Sequence, residues 1–144
     1  MTRQPNWWVK LGELANEVVG QPFEWGKTDC VTIARRALEA QFGEDPIKET
    51  ANYTTRGGAT RAFNRLGSLG DLAIKAGARE IPVRRARDGD FLIFPKSEDR
   101  VYENVATKMG GAWIVSSASV NKVVAVKSLS FDAEYIEGVK AYRF

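Results

Sequence analysis

Pro22-Phe23-Glu24-Trp25-Gly26-Lys27-Thr28-Asp29-Cys30 places the only cysteine of the chain directly behind an aspartate and a Trp-Gly pair. Thr28 and Asp29 are both good N-caps. The spacing therefore predicts a helix that starts there and carries Cys30, Ala34, Ala37 and Leu38 along one stripe until Gly43 and Pro46 stop it. A cysteine in the first turn of a helix meets unsatisfied backbone N–H groups and the positive end of the helix dipole, which favour thiolate over thiol. Two readings follow. Cys30 is a nucleophile, or it is a small apolar residue filling a core, since free cysteine is among the most buried residue types. A nucleophile also needs a base within hydrogen-bond reach and a third group that orients it.

Upstream of this stretch, Trp7, Leu11, Leu14 and Val18 recur at the spacing of one helix face, and Gly20 is placed to end that helix. Downstream, the turn-rich Ala51–Gly58 precedes two short helices, Ala59–Leu66 and Leu69–Ala76, the second opened by Ser68 and Asp71 in capping-box spacing. From Ile81 the pattern changes to β-branched and aromatic runs: DFLIFP (90–95), VYENVATKM (101–109), AWIVSSA (112–118), KVVAVKSL (122–129) and GVKAYRF (138–144). Gly110-Gly111 and Val120-Asn121-Lys122 leave no room for crossover helices, so these strands are expected to pair antiparallel. Helices first and strands after predict an α+β fold, with N-terminal helices packed on a C-terminal antiparallel sheet of about five strands.

A chain of 144 residues with 44% hydrophobic content suits one domain, residues 1–144, around one core. One cysteine excludes an internal disulfide, and the absence of histidine removes the commonest metal ligand, so neither a metal nor another cofactor is expected. The same absence bears on catalysis, because histidine is the usual partner that deprotonates a thiol near neutral pH. No stretch approaches the roughly 18 apolar residues of a membrane span. A cytoplasmic protein without a membrane partner is the expectation. The charge of +3 comes from 21 basic and 18 acidic residues, well mixed along the chain. Arg84, Arg85 and Arg87 are followed at once by Asp88 and Asp90, which reads as a solvated face, and no specific nucleic acid partner is expected.

The motifs carry a family resemblance. FEWGKTDC (23–30) resembles the Trp-Gly-x-x-Asp-Cys signature of the NlpC-type cell-wall peptidases, papain-like enzymes whose cysteine starts a central helix packed against a small antiparallel sheet. ARDGDFLIFP (86–95) is similar to the Gly-Asp-hydrophobic strand that follows the helices in that family, and NVATKMGGAWIVSSAS (104–119) stands where its His-Val-Gly strand would be. The stretch from Tyr53 to Gly77 resembles a phage-encoded branch often found among tail genes.

The resemblance implies a papain-like NlpC-type fold with Cys30 at the nucleophile position, Trp25, Gly26 and Asp29 around the cleft, Asn104 at the place of the general base, and the polar third position near Ser116 or Ser117. Asparagine accepts no proton at neutral pH. Asp29, Asp90 and Glu103 are the nearby carboxylates, but adjacent negative charge raises a thiol's pKa. General-base assistance is worth about 10² to 10⁴ in rate, so its loss implies a vestigial peptidase. The expected function is then a structural component of a bacteriophage virion, at the tail or tail hub. Its partners would be other tail or virion proteins, with several copies in the particle, and its locations the virion and, during assembly, the host cytoplasm. The alternative is a thiol hydrolase that cuts cell-wall peptide as the phage enters its host.

Overall fold

The apolar stripe at the amino end winds into α1 (Trp7–Val18), with Leu11, Leu14 and Val18 buried. In the computed structural model described here, which covers residues 1–49, 51–96, 103–127 and 136–144, α2 (Cys30–Phe42) follows and is capped at both ends as its sequence requires. The Asp29 carboxylate accepts from the Thr32 N–H at its start, and Gly43, at φ +77°, donates its N–H to the Glu39 carbonyl at its end. The next helix, α3 (Arg56–Leu66), begins three residues earlier than the pattern suggests, because the Thr55 hydroxyl accepts from the Gly58 N–H and opens the helix there. The short α4 (Leu69–Lys75) is capped by Ser68, whose hydroxyl accepts from the Asp71 N–H.

Six strands follow among the described residues: β1 (Arg79–Ile81), β2 (Phe91–Phe94), β3 (Asn104–Met109), β4 (Ala112–Ser117), β5 (Lys122–Val126) and β6 (Lys140–Arg143). They form one antiparallel sheet in the order β1-β6-β2-β3-β4-β5, so the fold is α+β, with six strands where about five were expected. The sheet departs from a plain meander. β6 returns to pair with both β1 and β2, giving the three-residue β1 a partner that its own sequence does not announce. Residues 101–102 and 128–129, expected to extend two of the strands, lie outside the described residues. The β3–β4 turn is two residues long, and Gly110 and Gly111 both take the positive φ that such a hairpin demands.

Strand alternation divides the sheet into two faces. Phe91, Ile93, Val105 and Tyr142 pack against α2, α3 and α4, while Met109, Ile114 and Val123 pack against α1 and α2. On the opposite face Leu92, Phe94, Ala106, Trp113 and Ala141 form a second buried layer with Ala86 and the half-buried Val83. Among the described residues no helix is long and apolar enough to cross a membrane. The stretch leading to α2 is pinned along the outer edge of β5: Gly20 and Gln21 exchange backbone hydrogen bonds with Val123, and the Phe23 N–H donates to the Asn121 carbonyl. Sheet pairing thus fixes where Trp25 and the tip of α2 stand.

Candidate functional site

Asp29 organises the tip of α2. Fully buried, its carboxylate accepts from the Gly26 N–H (2.7 Å), the Thr32 N–H (3.1 Å), the Thr32 hydroxyl (2.6 Å) and the Tyr53 hydroxyl (2.5 Å). A buried carboxylate is tolerated only when its lone pairs are filled, and these four donors fill them. Gly26 sits at φ +81°, where a Cβ would stand 2.3 Å from the Tyr53 carbonyl oxygen, so only glycine permits this backbone crossing. Tyr53 arrives from a distant loop because Arg35 of α2 clamps the intervening turn, binding Asp45 at 2.7 Å and the carbonyls of Lys48 and Ala51. Half-buried Trp25 packs edge-on against Phe23 and Tyr53, closing the aromatic side of the tip.

Cys30 as a residue is only partly buried, but its sulfur is desolvated. Backbone N–H groups of Val105, Val31 and Cys30 itself favour the thiolate, as expected at a helix start. Burial outweighs them, the charge of Asp29 adds to burial, and the thiol is pushed up to about 12. The same two causes, burial and the Asp29 carboxylate, hold the Tyr53 hydroxyl well above its ordinary range. Below the tip lies an apolar cavity of about 30 Å³ lined by Val31, Ala34, Leu69, Ile93, Val105 and Phe144. Ligand pockets span ~300–1,000 Å³, roughly ten times more or greater. A larger open depression, about 410 Å³, lies on the other side of Gly26, where Glu17 pairs with Arg36 and Glu24 with Lys27.

The structure brings some of the expected site residues together and separates others. Cys30, Asp29, Gly26 and Trp25 share the tip of α2. Asn104 begins β3 directly opposite Phe94 and alternates with Ala106, so its side chain belongs to the sheet face turned away from α2. The residue that meets the Cys30 sulfur is Val105, through its backbone. Ser116 lies on the helix side of β4 with Ile114, buried, and its hydroxyl has no hydrogen-bond partner among the described residues, a condition shared by the Thr107 hydroxyl. The β3–β4 register that pairs Thr107 with Ile114 sets Ser116 level with Val105 when continued along the strands. Each nearby carboxylate is engaged elsewhere: Asp29 as described, Asp90 by Arg143 at 2.7 Å and the Arg87 N–H, and Glu103 by the Leu69 N–H at 2.7 Å. Tyr53 and Thr32 were not singled out by the sequence. Thr32 stands three residues past the Asp29 cap and was locally findable, whereas Tyr53 depends on the Arg35 clamp. Among the described residues no cluster of three or more histidine, cysteine or acidic side chains is placed to hold a metal ion.

These features define an α+β domain that seats one cysteine at a helix tip against an inner strand of an antiparallel sheet. The chain belongs to the DUF6950 family, a domain of unknown function, whose model matches residues 2–132. No curated protein and no solved structure matches the chain significantly.

Proposed function

We propose that the chain is a papain-like, NlpC-type domain that has given up peptidase chemistry and serves as an assembly module in a bacteriophage tail. One observation carries the non-catalytic half of this reading: the Cys30 thiol is pushed up to about 12 while Asp29, Asp90 and Glu103 are each bound to other donors. A thiol in that state is a poor nucleophile at neutral pH. The fold half is supported by a cysteine-led helix lying on an antiparallel sheet, and the tail assignment rests on the resemblance of the Trp25–Cys30 motif and of the stretch from Tyr53 to Gly77. The test has two arms. Purified protein incubated with cell-wall peptide should release no fragments, and the protein should co-sediment with assembled tails. Cleavage that disappears in Cys30→Ser, or absence from tails, would refute it.

The second reading, a working thiol hydrolase, is favoured by the backbone N–H groups of Cys30, Val31 and Val105 around the sulfur, an arrangement that could also hold an oxyanion. It predicts cleavage that depends on Cys30, with the open depression beside Gly26 available to peptide.

A further inference from the structure

Asp90, at the head of β2, is fully buried and gripped in a fork by Arg143, with Nη2 2.7 Å from one carboxylate oxygen and Nε 2.9 Å from the other. The Arg87 N–H takes a further lone pair at 2.7 Å. This one carboxylate stands among more cations than it can neutralise. The side chains of Arg3 and Arg87 share its electrostatic neighbourhood with Arg143. Arg79 of β1 lies directly opposite Arg143 in the sheet register and is exposed. Arg84 and Arg85 stand exposed on the turn between β1 and β2, and the Arg85 carbonyl is held by Arg143 at 3.2 Å. Asp88, the other carboxylate of this stretch, accepts from the Gly111 N–H and offsets one of these charges.

The cationic face continues into aromatic surface. The Arg3 guanidinium lies 4.1 Å over the Trp7 ring, Trp7 meets Trp8 edge-on, and Trp8 is 58% exposed with Val9 exposed beside it. We propose that this surface, running from Arg79 through Arg85 and Arg87 to Arg3 and Trp8, docks a carboxylate-rich protein segment that carries an apolar anchor. Three observations select that partner. The excess charge calls for an anion, and most of it is guanidinium, whose planar fork matches carboxylate and phosphate alike and is less hydrated than an ammonium. Of the lysines near this surface, Lys108 is turned to the Ala86 carbonyl and the Trp113 ring and Lys10 to the Gln4 side chain. Arginine next to tryptophan is the composition of protein–protein binding centres, whereas a plain polyanion is held by lysine as readily as by arginine. The inference rests on the assembly role proposed above and names the chemistry of its partner.

The test is fluorescence anisotropy on the full chain at physiological salt, with a labelled glutamate-rich peptide bearing a Leu-Phe pair and a labelled single-stranded oligothymidylate of equal charge. Peptide binding should exceed oligonucleotide binding, and the triple variant Arg84→Glu, Arg85→Glu, Arg87→Glu should weaken it by about tenfold or more. Replacing the same three residues by lysine keeps the charge and removes the fork, and should cost roughly threefold, as should Trp8→Ala. All four positions are exposed, and circular dichroism checks that the variants fold. Tighter binding of the oligonucleotide, unchanged binding by the lysine variant, or no peptide binding would overturn the inference. Peptide binding by a chain that fails to join tails would sink the assembly role alone, and a chain that joins tails without binding the peptide would sink this inference alone.

Discussion

Reaction of Cys30 with an aromatic disulfide reagent measures its ionisation directly. With the folded thiol at about 12 and the ordinary value at 9.0, the thiolate fraction at pH 8 falls from about one in ten to about one in 10⁴, a loss of roughly 10³. A more basic thiolate is a better nucleophile, and with a Brønsted slope of about 0.45 the shift of three units returns roughly 20-fold. Native Cys30 should therefore react about 50-fold more slowly than an unfolded control at pH 8, before any steric shielding by Trp25 and Val105. The rate should keep rising with pH beyond 10, without a plateau near 8.5. Asp29→Asn removes the charge that adds to burial, so its native-state reaction at pH 8 should be faster than that of the wild type. A plateau below about 8.5, or a native rate above the unfolded control at pH 7, would show an activated thiolate and refute the reasoning.

The same shift predicts how stability depends on pH. Because the folded thiol holds its proton above 9.0 while the unfolded one loses it, Cys30 contributes stability that is complete below pH 9 and is lost as pH rises toward about 12. Between pH 9 and 10.5 urea titrations should show the wild type losing about 2 kcal/mol more than Cys30→Ala, a comparison that cancels the parallel contribution of Tyr53; equal slopes would contradict the buried thiol. Asp29→Ala removes four hydrogen bonds and strands buried donors, for an expected loss of about 3–5 kcal/mol, against about 1–2 for Tyr53→Phe, which leaves the carboxylate three donors. Thermal melts that reverse this order would place the hub elsewhere. Gly26→Ala meets both the strained φ and the Tyr53 carbonyl and should cost at least about 2 kcal/mol, whereas Gly12→Ala, in open space on α1, should stabilise by about 0.5–1. Similar melting temperatures for the two would argue against the backbone crossing at Gly26.

Where local chemistry dictates structure, the chain could be read directly. The Asp29 cap, the Gly43 stop, the Leu11-Leu14-Val18 stripe and the Gly110-Gly111 hairpin each follow from residues within a few positions of one another. What could not be read was set by distant partners. β1 is three residues without alternation and exists because the C-terminal strand comes back to pair with it. Tyr53 reaches Asp29 only through the Arg35 clamp, and nothing near residue 53 signals that contact. The orientation of Asn104 hangs on the finest of these details, since moving one residue along a strand exchanges its faces. Motif position indicated where β3 begins, and only the pairing with Phe94 shows which way its side chains turn.

One residue therefore sets both the architecture and the chemistry of the site. A helix start usually offers its free N–H groups to an anion, but here the Asp29 carboxylate takes that of Thr32, together with the N–H of Gly26 ahead of the helix, and adds a fixed negative charge beside the sulfur. The N–H groups left to Cys30 must offset both that charge and the burial imposed by the surrounding apolar core, and they do not. On the helix side of β3, next to the sulfur, stand Glu103, Val105 and Thr107, and among these described residues the one carboxylate caps α4 through Leu69. Activating Cys30 through either carboxylate would thus require undoing a contact that builds the fold, either the cap of α2 or the anchor of α4. A surface role leaves both intact, which favours the proposed docking on the arginine and tryptophan face.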